Sequence, residues 1–225
     1  ESSINQIIQR HEALRTNFIT QEGQPVQIIA STLNLKLLVV DLLYLPESSR
    51  EIEAQRLAFE EVNRPFNLEQ DPLVRGTALQ LGETEYILVF TMHHIISDGW
   101  SLGIFVRELT ELYQAFCTGS PPVLPLLPVQ YADFAIWQRQ WLSGEVLKTQ
   151  LHYWKKQLKN APNLLQLPAD RPRKAIQTFQ GGYYHTAFDK ELSAELTALS
   201  KRSGVTLFMT LVAAFQTLLY RLSGE

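Results

Sequence analysis

The stretch "MHHIISDGWS", Met92 to Ser101, places two adjacent histidines just ahead of an Asp-Gly pair. A neutral imidazole, with an ordinary pKa near ~6.5, can take a proton from an attacking amine or hydroxyl at neutral pH. Successive residues of a strand face opposite sides, so only one of His93 and His94 can face a reaction space while the other packs. Asp98 falls where the chain turns, and a carboxylate there can hold a loop or fix a ring tautomer. If buried, it needs a cationic partner. Gly99 is expected to supply a backbone conformation barred to other residues.

Other chemistries find less support. A metal site needs a third ligand, and the chain has 5 histidines and a single cysteine, Cys117. His11, His152 and His185 are scattered, with no ligand spacing to the pair, so no metal is expected. Cys117 sits beside "TGSPP" at a helix end and reads as a semi-buried thiol rather than a nucleophile. Neither a GxSxG elbow nor a P-loop is present, which disfavours serine hydrolysis and phosphoryl transfer. Acyl transfer between two bound substrates needs only a base, a positioned acceptor and an activated donor. On the residues alone, two histidines of no chemical consequence remain the alternative.

The surrounding patterns predict the elements that must position the pair. Ile4, Ile7, Ile8, His11 and Leu14 recur at helical spacing. "NFITQEGQPVQII" reads as a strand pair around Glu22-Gly23, and "LKLLVVDL" as a further strand. "SSRE" has capping-box spacing, with Ser48 as the cap of a helix ending near Asn63 before Pro65. "PLVRGTALQL" and "EYILVFTMHH" form two strands, and the histidines end the second. Leu102, Phe105, Leu109, Leu112 and Phe116 then trace an apolar helical stripe. "GSPPVLPLLP" is an extended connector, followed by one helix through "YADFAIWQRQWL" and another bearing Leu147, Leu151, Trp154 and Leu158. Residues 161–177 form a proline-rich boundary between a domain over 1–160 and the opening of a second over 178–225. That second part is expected to hold a strand, "TFQGGYYHTAFD", and a helix capped by Asp189. The apolar run from Val205 to Leu222 reads as a buried core helix rather than a membrane span.

Composition sets the class. The 225 residues are 45% hydrophobic and 19% charged, as in a globular protein, and the net charge of −3 gives no basic face for nucleic acid. One cysteine excludes an internal disulfide. No targeting segment is visible, and a cytoplasmic setting without membrane attachment is expected.

Three segments carry a resemblance. "RHEALRTNF" (Arg10 to Phe18), "MHHIISDGWS" and "YADFAIW" (Tyr131 to Trp137) closely resemble successive core motifs of condensation domains from nonribosomal peptide synthetases, in order and spacing. "PFNLEQDPLVR" and "LPADRPR" look like further signatures, so the likeness runs along essentially the whole chain. It implies an α/β fold, the chloramphenicol-acetyltransferase-like two-layer α/β sandwich, here as the N-terminal lobe plus the start of the second lobe. It implies amide bond formation between a donor acyl or peptidyl thioester and the amine of an acceptor aminoacyl thioester. Both substrates ride on the 4'-phosphopantetheine of peptidyl carrier protein domains, with an adenylation domain adjacent. The domain itself would bind no cofactor.

By the same resemblance His94 faces the tunnel, as general base or positioning group, and His93 is structural. Asp98 holds the loop by pairing with an arginine of the first motif, Arg15 in preference to Arg10. Gly99 keeps the path of the arm clear. Tyr131, Phe134 and Trp137 are expected to pack in a core, with Asp133 capping or pairing locally and His11 a packed helix residue. "RHEALRT" and "YADFAIW" favour an L-donor, L-acceptor condensation domain. Epimerisation domains share HHxxxDG and stay open as an alternative, as do another acyltransferase of the fold and a non-catalytic scaffold that docks carrier proteins. The chain lacks the family's first motif and the later motifs of the second lobe. It is therefore expected to be a piece of something longer, inactive alone.

Overall fold

The structure is a computed structural model that describes residues 1–121, 124–162, 164–172, 176, 181–182 and 184–224. The chain divides into two compact units, Glu1–Lys148 and Thr149–Glu225. The first unit opens with helix α1, Ser2–Arg10, and its buried residues Ile4, Ile7 and Ile8 form one face at the spacing of a single helical stripe. A 3-10 turn, Glu12–Arg15, leads into strand β1, Thr16–Gln21, which pairs antiparallel with β2, Gln24–Ile29. Glu22 and Gly23 join these strands with φ of 51° and 74°, the left-handed pair that a two-residue hairpin turn demands.

A second sheet has the order β3–β4–β5, built from Leu38–Asp41, Val74–Gln80 and Tyr86–Met92. β3 runs parallel to β4, as the intervening helix α2, Glu47–Asn63, permits, while β5 returns antiparallel from β4. Strand alternation sends Val74, Phe90 and Met92 to one face, where they pack with Ile4, Ile7, Ile8, Leu14, Phe105 and Leu112. Leu79 and Val89 point the other way and pack with Leu42 and Ala54. The sheet is thus covered on one face by α1 and α3, Gly99–Thr118, and on the other by α2. Each covering helix buries a stripe that has no other place away from water.

Ser48 does not cap α2. The helix begins earlier, at Glu47, with Pro46 at the cap position, and the Ser49 N–H donates to the Pro46 carbonyl at 2.8 Å. Proline's fixed φ suits a helix start, and it set the boundary ahead of the serine pair. Two helices, α4 (Tyr131–Trp141) and α5 (Gly144–Gln157), follow the proline-rich connector, of which residues 122 and 123 lie outside the described residues. Asp133 closes a capping box with Gln130 at the start of α4, its Oδ2 accepting from the Gln130 N–H at 2.9 Å.

The expected packing of Tyr131, Phe134 and Trp137 is corrected. They are exposed, and their rings meet one another at a tilt along α4, with Trp137 stacked on Trp141. Leu147, Leu151, Trp154 and Leu158 of the α5 stripe are exposed as well. In the second unit, α6 (Lys190–Arg202) is capped by Asp189, whose Oδ1 accepts from the Leu192 N–H at 2.8 Å. α7 (Leu207–Ser223) is capped by Thr206 and buries no residue, against the expectation of a core helix, with Phe208, Met209 and Phe215 all exposed. An apolar face shows that a helix seeks cover; it does not name what covers it. The strand expected from "TFQGGYYHTAFD" falls partly outside the described residues, and its described members before Asp189 lie in no strand. No single helix among the described residues is long and apolar enough to cross a membrane.

Candidate functional site

β5 ends at Met92, and its ladder is extended by one bond, from the His93 N–H to the Leu73 carbonyl at 2.9 Å. The chain then turns sharply. The His93 carbonyl accepts from the Ile96 N–H at 3.0 Å and from the Ser97 hydroxyl at 3.2 Å. The His93 Nδ1 accepts from the Ile95 N–H at 3.0 Å, so in the neutral ring the proton resides on Nε2. This ring and Phe66 form a T-shaped pair, 5.8 Å between centroids and 89° between planes. Phe66 in turn lies under the Arg75 guanidinium, 3.6 Å from the ring centroid, in a cation–π contact. Arg75 is held by the carbonyls of Glu61 and Arg64 and by the Glu61 carboxylate. The segment "PFNLEQDPLVR" therefore does a definite job: it braces His93 from behind.

His94, the next residue, is exposed and lines a cavity of about 650 Å³. The strand has ended by this point, so a turn rather than strict alternation separates the two rings. Among the described residues no hydrogen bond or ion pair holds the His94 imidazole, which leaves both nitrogens for a ligand. The facing wall comes from the first motif and β1, including His11, Glu12, Thr16 and Phe18, and Tyr131 of α4 lines the same space. The three motif segments read from the sequence thus meet around one cavity.

Asp98 has a different job from the one expected. It caps α3: its Oδ1 accepts from the Ser101 N–H at 2.8 Å, and its own N–H donates to the Ser101 hydroxyl at 2.7 Å, a reciprocal capping box. Neither Arg15 nor Arg10 pairs with it. Arg15 lies 3.6 Å from Glu12 and donates to the Ala30 carbonyl, while Arg10 pairs with Glu108 at 3.3 Å. With its oxygens turned to the helix start, the Asp98 carboxylate takes N–H donors in place of a guanidinium. The hydrogen bonds from Ser101, backbone first and hydroxyl second, hold its pKa below the ordinary 3.8, and His94 contributes a smaller favourable charge effect.

A carboxyl group whose folded-state pKa is depressed stabilises the fold above its ordinary value and loses that contribution as pH falls through the folded value. Asp98→Ala should therefore unfold more readily than the parent at neutral pH. The gap between their thermal midpoints should close as the pH drops below 3.8. Gly99 is also corrected. Its φ is not among the positive ones, and a Cβ added there would meet nothing within 4 Å. Backbone strain does not explain this glycine, and the open space beside it is compatible with room for a ligand.

Sequence reasoning passed over Glu108. It lies in α3 on the buried face with Phe105 and Leu112, and its side chain is 6% exposed. Its carboxylate receives Arg10 on one oxygen, and on the other it meets the His11 Nε2 at 2.8 Å. His11 ends α1 in an extended conformation as its C-cap, rather than lying packed within a helix. The available signal was an acidic residue at i+3 from Phe105 on an apolar stripe, a position a charge occupies only with partners. Among the described residues no cluster of His, Cys, Asp or Glu has the makings of a metal site.

The comparisons fit this geometry. One of the proteins that make up the linear gramicidin synthase of Brevibacillus parabrevis is 51% identical over 225 residues, 100% of this chain and 3% of that protein. The chain spans only 3% to 4% of the three gramicidin synthase proteins it matches. The X-domain from teicoplanin biosynthesis, solved in complex with OxyB, superposes with a TM-score of 0.83 at 28% identity, over 99% of this chain and 48% of that one. The four-domain nonribosomal peptide synthetase holo-AB3403, bound to AMP and glycine, gives 0.79 at 25% identity, over 100% of this chain and 16% of its own. The sequence model of the condensation domain family matches residues 1–225 from end to end. With its motifs gathered around one cavity and that match along its whole length, the chain belongs to the condensation domain family.

Proposed function

We propose that this chain is part of a domain that joins a donor acyl or peptidyl thioester to the amine of an acceptor aminoacyl thioester. Each would be delivered on the phosphopantetheine arm of a carrier protein. The observation that carries the reading is the convergence of "RHEALRTNF", "MHHIISDGWS" and Tyr131 on the cavity that His94 lines. A thioester is already activated, so the domain's task is to bring two chains together and manage protons. His94 is the group for the second task, as base or as positioning partner of the amine. His93 and Asp98 hold the loop and the helix that present it, and Gly99 leaves the helix start open. In this reading residues 1–160 belong to the N-terminal lobe, 161–177 to the linker and 178–225 to the second lobe. The donor and acceptor are both L-configured, an adenylation domain is adjacent, and the setting is cytoplasmic.

The test uses the full-length synthetase with both carrier domains loaded. A new amide linking an L donor to the acceptor supports the reading. Inversion of the acyl residue without a new C–N bond would instead assign the domain to epimerisation. A second reading, a scaffold that docks a partner without chemistry, draws on the X-domain solved in complex with OxyB. It predicts partner binding with no product at all.

A further inference from the structure

The cavity has a second histidine whose geometry the reading above does not use. His11 lines the same space as His94, and its Nε2 is tied to Glu108 at 2.8 Å. A carboxylate only accepts hydrogen bonds, so Nε2 carries the proton and Nδ1 holds the free lone pair. Nδ1 takes no hydrogen bond from the described residues. Glu108 is itself fixed by Arg10, whose guanidinium also donates to the Pro125 carbonyl. A buried acid that orients an imidazole this way is the arrangement in which the ring's other nitrogen handles a proton.

We propose, resting on the amide-forming reading, that His11 is a second proton acceptor in the cavity, with Glu108 as its positioning residue. The chemistry supplies the need. An α-amino group titrates near ~8 and so arrives largely as ammonium at neutral pH, carrying no lone pair for attack. One proton passes from the ammonium to His11 Nδ1. The freed amine then attacks the thioester carbon, the C–N bond forms and the C–S bond breaks. A second proton leaves the nitrogen by way of His94 for the departing thiolate. One amide, one thiol and one proton result, the last released from His11 to solvent. Two protons leave the nitrogen in sequence, and two histidines that line one cavity divide the work. The charged and titratable groups facing His11 are Glu108 from α3, Arg10 from α1, neighbouring Glu12, His94 and Asp98 across the cavity, and Tyr131 from α4. Of these only Glu108 bonds the ring.

The test is the rate of amide formation by the full-length synthetase with loaded carriers, read as the ratio of variant to parent across pH. His11→Gln should lower kcat about 30-fold near pH ~7. The deficit should shrink to about 3-fold near pH ~9.5, where the amine arrives already deprotonated. Glu108→Gln should show the same convergence from a smaller deficit of about 10-fold. If Glu108→Gln fails to fold, His11→Gln decides alone, since its ring is partly exposed and its loss leaves the Arg10–Glu108 pair in place. A deficit of equal size at every pH marks a structural role and overturns the proposal, as does full activity of His11→Gln. His94→Ala separates the two levels. If it is inactive at all pH values, the amide-forming reading stands and the His11 profile judges the proposal. Full amide turnover in His94→Ala overturns the two-histidine division, while the absence of amide product from the parent synthetase removes the amide-forming reading, and the proposal with it.

Discussion

His94→Ala in the full-length synthetase should reduce amide formation by about 10²- to 10⁴-fold, the range that one general acid–base group supplies. The unfolding midpoint should not move. The His94 ring is exposed and held by no hydrogen bond among the described residues, so its removal costs the fold little. That combination makes the variant informative, because lost activity cannot be assigned to lost structure. The effect should fall on kcat rather than KM if His94 acts only once the amine begins to attack. His94→Gln adds resolution. A side chain that can hydrogen-bond but not titrate should recover much of the rate if His94 positions the amine, and almost none if it removes a proton. Product analysis with both carriers loaded, beside thermal unfolding of the same variants, reads all of these outcomes.

Leu112→Ala should destabilise the domain by about 3 kcal/mol, within the usual range for emptying a buried leucine site. Leu112 is 0% exposed and lies with Phe105 where α3 meets Ile4, Ile7 and Ile8 of α1. Its loss removes transfer free energy and leaves a cavity that a helix pinned to a sheet refills only in part. Denaturant unfolding of the complete domain should show a lowered midpoint, with Leu126→Ala as the control. Leu126 is 93% exposed, and its truncation should stay within about 0.5 kcal/mol of the parent. The same α3 carries Asp98 at its first turn and Glu108 in its middle. Loosened packing at Leu112 should therefore lower amide formation under conditions where the domain is still folded. A midpoint unchanged by Leu112→Ala would mean that this cluster does not anchor α3.

Much of the first unit was legible because its determinants are local. Glu22-Gly23 can hardly be anything but a hairpin turn between two β-rich runs, and in the second unit Asp189 announces its helix by side-chain chemistry alone. That the two rings of the histidine pair have different surroundings was likewise foreshadowed by alternation, although a turn after Met92 is what separates them. What could not be read is whatever depends on a partner distant in the chain. Arg10 and Asp98 look suited to each other by charge, but the fold brings Arg10 to Glu108 and gives Asp98 to its own helix. Tyr131, Phe134 and Trp137 have the spacing of a buried stripe, and spacing is silent about what lies opposite. The same limit explains α7, whose apolar composition guaranteed a helix and left its burial open.

The aromatic ladder of α4 makes part of this domain visible to light. Tyr131, at one end, lines the His94 cavity, and contacts run through Phe134 to Trp137 at 6.0 and 5.6 Å between centroids. There the indole stacks on Trp141 at 5.5 Å, with 8° between the planes. Two indoles so close and so nearly parallel couple their electronic transitions, giving near-ultraviolet circular dichroism and emission that respond to small changes in overlap. A ligand that displaces the Tyr131 ring should disturb that pair through Phe134, an outcome that near-ultraviolet circular dichroism would record. On the proposed reading, arrival of a chain in the cavity should be a spectroscopic event that needs no attached dye, timed separately from amide formation.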